Sequence, residues 1–430
     1  MLHIENNYIK DHLLDGNFGL EKESLRVLED GTFSHTLHPF PDDAHIVKDF
    51  CENQTEINTD VHPSIKDAMK ELQFYNRRIY EKLQTLEQKE YLWLFSNPPF
   101  IQKEDDIPVA VFGGTHVSKT SYRNYLSEKY GRYKMTFSGI HVNFSFAESL
   151  LKADFDLWKE ENFSEKVNVS YQEYKNQIYL KLAKNLALYG WILVAVTAAS
   201  PVLDSSYLEK GVYGKTVFTG MGSVRCSEMG YWNEFAPVFD YSDIGSYAES
   251  IRKYVKKGLL KAPSELYYPI RLKPAGENNL DTLQKKGVNH IELRMFDLNP
   301  LAEEGLEEKD VVFAHLLMVW LASTPDQAVA EKDQIKAVQN FKNAAHYDLK
   351  TVKILTPDGE ISSVAAAAKK ILEQMKRFFR ECEIDVEEIL EFEYEKFTDA
   401  KNRYAWKIRQ QFQKRFVDKA MELARKRQEI

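Results

Sequence analysis

The sequence predicts an α+β fold, a single domain whose sheet is gathered from distant parts of the chain. Three observations carry this reading. Segments at 16–60, 136–146, 223–235, 267–272 and 290–297 show the alternation of half-buried strands. Stretches of helical spacing lie between and after them. No internal repeat and no Pro/Gly/Ser linker divides the 430 residues. Length alone suggests two or three domains, but no boundary is visible. The expectation is therefore one domain over 1–430, mainly helical from about 310.

The elements follow in order. GNFGLEKESLRVLEDGTF alternates around Glu21 and Glu23, turns at Glu29-Asp30-Gly31, and continues with strand character; Asp-Gly is a strong hairpin signal. From Ser64 to about Leu86, Ile65, Met69, Leu72, Ile79 and Leu83 recur at helical spacing after Pro63, which suits a helix start. TFSGIHVNFSF alternates again over 136–146. A long helix is expected from about Tyr171 to Ala199, stopping at Ser200-Pro201. Short strands are expected around Ser223–Arg225, Tyr267–Leu272 and His290–Phe296. From about Asp310 the chain reads as nearly all helical. Its last helix carries Tyr404, Ile408, Phe412 and Phe416 as an i, i+4 stripe, which reads as a face docked on the core.

Composition narrows the classes. Hydrophobic residues make up 43% and charged residues 28%, with Gly 19 and Pro 14, which excludes disordered and collagenous chains. With 65 acidic and 57 basic residues the net charge is −8, so the chain as a whole is no basic nucleic-acid binder. Cys51, Cys226 and Cys382 form neither a CxxC motif nor a disulfide framework, which suits a reducing compartment. The N-terminus lacks the pattern of a secretory signal. The longest apolar run, Leu186–Ala199, falls short of the roughly 20 residues a membrane span needs and reads as a buried helix. A cytoplasmic protein with no membrane partner is expected.

Candidate chemistry starts at Glu21-Lys22-Glu23. Residues i and i+2 of a strand share a face, so the two carboxylates lie side by side and repel unless cations neutralise them. Alone, the pair reads as decoration of a solvated face. However, Glu292 and Arg294 repeat the spacing in IELRMFDLNP, His141 and Asn143 repeat it in SGIHVNFS, and KDFCENQTEI adds Asp49 and Glu56. By itself His141 reads as a core histidine before it reads as a ligand. Several oxygen donors with one imidazole, in mostly apolar strands, are what hard divalent cations require. Arg123, Arg225 and Arg294 lie near aromatic or small residues, and guanidinium planes suit carboxylate and phosphate. Carboxylates beside arginines suit phosphoryl transfer from ATP, although no GxxxxGK[ST] loop and no kinase signature occurs.

Seven blocks in this order resemble the bacterial glutamate–cysteine ligase family (γ-glutamylcysteine synthetase). They are GLEKESLRV, KDFCENQTEI, TSYRNYLSEKYGRYKMTFSGIHVNFSF, GWILVAVTAASPVLDSSY, SVRCSEMGY, ELYYPIRLKP and HIELRMFDLNPL, spanning about 16 to 325. The resemblance implies a glutamine-synthetase-like fold, a curved antiparallel sheet forming a funnel with helices outside. It implies ATP, L-glutamate and L-cysteine as reactants, with Mg2+ or Mn2+. By the same resemblance Glu21, Glu23, Asp49, Glu56, His141 and Glu292 match metal-ligand positions. Arg294 and Arg123 match positions facing the transferred phosphoryl group and acyl-phosphate, and Arg225 one near the substrate carboxylates. Phe50, Tyr122, Tyr231 and Tyr267 match the lining of the acceptor pocket.

The implied chemistry runs through γ-glutamyl phosphate and needs no protein nucleophile, so Cys51 and Cys226 read as wall or packing residues. Two departures are visible. Met135 and Val142 stand where the family usually has Gln and Tyr flanking the SGIH signature, both expected near the acceptor pocket. Two other readings therefore accompany glutamate–cysteine ligation. One is a related ligase using another amine, and the other is a non-catalytic nucleotide-binding regulator. No ATP-grasp segment follows, so a second step would fall to a separate glutathione synthetase.

Overall fold

A computed structural model describes residues 2–114, 117–163 and 168–429. Its centre is an open antiparallel sheet. The strands are β1 (Gly16–Val27), β2 (Ile46–Lys48), β3 (Gln54–Asn58), β4 (Tyr91–Leu92), β5 (Gly139–Phe146), β6 (Val202–Asp204), β7 (Thr216–Phe218), β8 (Ile270–Lys273) and β9 (His290–Asp297). Seven of them form the main sheet in the order β2-β3-β1-β5-β9-β8, with β4 beside β1; β6 and β7 pair separately. The α+β expectation holds.

Period two sorts the side chains. Leu20, Ile140, Val142, Phe144, Ile291, Leu293, Ile270 and Leu272 are all buried. They join one hydrophobic cluster with the helices Ile65–Gln84, Tyr171–Tyr189, Trp191–Thr197 and Glu308–Ser323. The opposite face carries the polar alternates. Ile65–Gln84 begins as read, with Ser64 Oγ accepting from Asp67 N at 3.1 Å.

Several elements differ from the reading. The expected 171–199 helix is two, bent by 57°. At Gly190 a Cβ would lie 2.5 Å from Leu186 O and 3.0 Å from the Phe341 ring, so the chain turns where only glycine fits. No single described helix is long and apolar enough to cross a membrane.

Residues 223–235 form turns, not a strand. Ser223 Oγ accepts from Cys226 N at 3.0 Å and Ser227 Oγ donates to Val224 O at 2.8 Å, so local side-chain bonds compete with a ladder. The helical C-terminal part contains a hairpin of β10 (Lys353–Leu355) and β11 (Ile361–Ser363) around Pro357-Asp358-Gly359. The last helix is likewise two, Tyr404–Phe412 and Phe416–Gln428, broken where Arg415 takes φ 54°. Tyr404, Ile408, Phe412 and Phe416 are all buried, as a docking face requires.

Candidate active site

The polar face of the sheet is built by register. Glu21 stands opposite His141, and Glu23 opposite Glu56. Farther across, Asn143 faces Glu292, which faces Arg271. The β5–β9 ladder shifts register between Ile140 and Val142. This irregularity at His141 lets one imidazole approach carboxylates from both neighbouring strands, as bulges beside active sites do. Asp49 and Phe50 come from the short connection between β2 and β3. Tyr122, Arg123 and Leu126 come from the helix Val117–Tyr130.

These residues enclose a cavity of about 240 Å³. His141 Nδ1 lies 2.8 Å from Glu21 Oε2 and 3.6 Å from Glu292 Oε1. Asn143 donates to Glu21 Oε1 at 2.9 Å. Arg294 Nη1 donates to Glu292 Oε1 at 2.8 Å, and Lys273 Nζ lies 3.2 Å from Glu292 Oε2. Among the described residues Glu23 accepts only from Gly139 N, at 3.0 Å. Arg123 Nε donates to Asp49 O at 2.7 Å.

Charge divides the carboxylates into two sets. Burial pushes Glu292 up, but Arg294, Lys273 and His141 outweigh it and hold its carboxyl well below the usual range. Burial likewise opposes ionisation of Glu21, yet the His141 contact leaves it lowered. Glu23 is pushed up to about 8, by burial and then by Asp49. Glu56 is raised well above its usual value by burial, Asp49, Glu21 and Glu23. Burial, and then Arg294, lowers His141, which favours the neutral form a metal ligand needs.

Ligand atoms of Glu21, His141 and Glu292 lie within 4.8 Å of one another. Glu23, Asp49 and Glu56 line the same cavity as a second acidic group. Among the described residues Glu292 Oε2 makes no hydrogen bond beyond its ion pair with Lys273. Oxygen donors, one neutral imidazole and carboxylates crowded without enough cations fit Mg2+ or Mn2+. Another cluster, His45, Asp60 and Glu71, lies elsewhere, but His62 Nε2 at 2.6 Å and the Asp60 amide at 2.8 Å already engage Glu71.

The glutamate-cysteine ligase family model matches residues 1–258 and 235–344 of this chain. The chain belongs to the glutamate-cysteine ligase family. The glutathione biosynthesis bifunctional protein GshAB of Listeria innocua is 34% identical over 388 residues, covering 87% of this chain and 49% of the relative. The GshAB protein of Clostridium perfringens is 33% identical, with 86% and 48% covered. This glutamate-cysteine ligase family member thus spans about half the length of those relatives. Among solved structures, the bifunctional glutathione synthetase of Pasteurella multocida superposes with a TM-score of 0.83 at 25% identity, covering 100% of this chain and 54% of that one. The glutamate–cysteine ligase of Francisella tularensis, solved with AMP, gives 0.81 at 22% identity, with 96% and 88% covered, and supports the shared fold.

Thirteen of the fifteen residues expected at the site line the one cavity of this family member. The first exception is Arg225. Its guanidinium donates to Arg294 O at 2.9 Å and Phe296 O at 3.2 Å, bracing β9 from an adjoining cavity of about 50 Å³. A Cβ at Gly139 would sit 2.1 Å from Arg225 Nη2, so glycine there leaves room for the brace. Val142 is also misplaced by the sequence reading. It alternates with His141 and points into the core, 1% exposed, leaving Met135 as the departure that touches the cavity.

Arg271 and Lys273 on β8 line the cavity and were missed. Their i, i+2 spacing in YYPIRLKP was the available signal. Burial raises the Cys226 thiol to about 11 and Cys51 well above its usual value, so both stay protonated.

Proposed function

We propose that the chain is an ATP-dependent glutamate–cysteine ligase, joining the γ-carboxylate of L-glutamate to the amine of L-cysteine through γ-glutamyl phosphate. The observation that carries this reading is one cavity lined by two carboxylate sets, four cationic side chains and a tyrosine wall. Glu21, His141 and Glu292 would hold one Mg2+ or Mn2+, and Glu23, Asp49 and Glu56 would hold others. Bound there, the cations would neutralise phosphate oxygens of ATP and the acidic cluster.

The chain's own residues supply the rest. Arg294, anchored on Glu292, and Arg123, anchored on Asp49, present guanidinium planes to phosphoryl oxygens and offset the charge that builds during transfer. Arg225 supports Arg294 through β9. Arg271 and Lys273 add positive charge along β8. Phe50, Tyr122, Met135, Tyr231 and Tyr267 seat the acceptor and exclude water from the acyl phosphate. The acceptor's neutral amine attacks the acyl carbon, the C–N bond forms, and phosphate leaves with the acyl C–O bond. Protonated, buried thiols at Cys51 and Cys226 match a path without a protein nucleophile.

Chain 1–430 would act as one catalytic unit in the cytoplasm. Its product, γ-glutamylcysteine, would be the substrate of a separate glutathione synthetase. A second reading, a ligase for a different amine, is favoured by Met135, whose apolar side chain offers the acceptor no hydrogen bond.

The test is ADP release with glutamate, ATP and Mg2+ against a panel of amines, with products identified by mass. Turnover strongly favouring cysteine is expected. Turnover with another amine moves the function to the second reading. No turnover from folded, nucleotide-binding protein overturns both.

A further inference from the structure

The helix Val117–Tyr130 carries Tyr122 and Arg123 into the cavity, yet Leu126 is its one buried residue among those described. So small an apolar face contributes little packing, and the helix needs another anchor. That anchor is a carboxylate outside the cavity. Glu265 is fully buried at the end of the short turn Pro263–Glu265. Its Oε1 accepts from Lys129 Nζ at 2.5 Å and Tyr130 OH at 2.7 Å, both at the helix C-terminus. Its Oε2 accepts from Lys261 N at 2.6 Å.

The same hub reaches the rest of the aromatic wall. Asn233, two residues after Tyr231, donates to Glu265 O at 2.9 Å and to Tyr130 OH at 3.2 Å. Asn233 Oδ1 accepts from Tyr267 N at 2.7 Å. Ser264, next to Glu265, donates to Tyr122 OH at 3.2 Å. The helix C-terminus and the 261–265 turn thus meet on the carboxylate through charge-assisted and therefore stiff bonds, and Asn233 joins them through the Glu265 carbonyl and Tyr130 OH.

We propose that Glu265 is a positioning residue: it holds the helix Val117–Tyr130 and the Tyr122–Tyr231–Tyr267 wall in the geometry that receives the amine acceptor. The kinetic part rests on the ligase reading above; the anchoring part does not. Glu265→Gln keeps the shape and removes the charge. Amide exchange in Val117–Tyr130 should accelerate on the order of tenfold while Ile65–Gln84 is unchanged, because only the local anchor is lost. The KM for the acceptor should rise on the order of tenfold and the KM for ATP by less, since the helix and wall hold the acceptor through several side chains but reach the phosphates only through Arg123. Tyr130→Phe, which removes one donor at the edge of the hub, should show the same split at smaller size.

Unchanged exchange in Val117–Tyr130 overturns the proposal whether or not the chain is a ligase. Faster exchange in both helices, or an equal loss for every substrate, makes Glu265 a general stability residue and overturns it too. If wild-type protein turns over no amine, the ligase reading falls and the exchange measurement alone decides the anchoring.

Discussion

Two clusters of buried charge stand at opposite ends of a contrast. In the cavity, carboxylates from β1, β3 and β9 face one another across open space, and Glu23 and Glu56 are held far above their usual pKa values. Among the C-terminal helices, Lys396 is sealed in. Its Nζ reaches Asp310 Oδ1 at 2.6 Å, Glu393 Oε2 at 2.8 Å and both Val196 O and Tyr404 OH at 3.3 Å. Burial pushes Glu393 well above its usual value, so the closed cluster settles near neutrality with a retained proton. Burial of charge alone therefore does not mark function. An excess of acid beside a cavity does, because there a cation can replace the missing proton.

Removing one partner separates the two clusters most sharply. Lys396→Met leaves Asp310 buried without its cation and should cost about 3–5 kcal/mol of stability. Denaturant titration checks it, and Lys396→Met combined with Asp310→Leu should recover most of the loss. Glu292→Gln or Glu23→Gln should act on turnover. ATP-dependent turnover should fall on the order of a hundredfold or more, about 3–4 kcal/mol, as when one electrostatic partner of a reacting group is lost. The melting temperature should hold or rise in Glu23→Gln, whose acid is already pushed up to about 8. It should fall in Glu292→Gln, which leaves Arg294 and Lys273 without their buried partner. ADP release beside a thermal melt reads both effects. Near-wild-type turnover in both variants would sink the ligand assignment.

A third buried group, His315, probes the back of the sheet. It packs against the Phe18 and Phe144 rings at 5.0 and 4.9 Å, its Nε2 has no partner, and burial lowers it to about 3 from an ordinary 6.5. Below pH 6.5 the unfolded chain takes up a proton that the folded chain refuses. Stability is therefore lost as pH falls from 6.5 towards 3, by about 2 kcal/mol between pH 6.5 and 4.5. The loss should be absent in His315→Leu, seen as the difference between the two proteins' acid titrations of stability. The smallest effect is expected at the cavity wall. Met135→Gln should sharpen preference for cysteine over similar small amino acids severalfold, about 1 kcal/mol. An unchanged ratio of kcat/KM values would mean that position 135 does not read the acceptor.

Much of the site was legible because strands have period two. Glu21 with Glu23, His141 with Asn143, and Glu292 with Arg294 announce a shared polar face without any structure. Arg271 and Lys273 carry the same signal but lie among Tyr267, Tyr268, Pro269 and Pro274, which masked it. Residues 223–235 misled because serines offered the backbone local bonds, and the 353–363 hairpin hid in a stretch dominated by helices. Glu265 had no sequence signature at all. A lone acid between Ser264 and Leu266 acquires its role only from donors at Lys129, Tyr130 and Lys261.

Alternation along the chain settles which residues share a face, and the ordered motif blocks settle the family. Both are local properties, written in neighbouring residues. The strand order β2-β3-β1-β5-β9-β8, the irregularity at His141 and the turn of Arg225 away from the cavity are settled only in three dimensions. Register depends on contacts between segments far apart in sequence, and sliding one strand by a single residue would exchange its polar and core faces. That is why six candidate ligands could be read from the chain, while their division into a converging group and a neighbouring acidic group required the folded sheet.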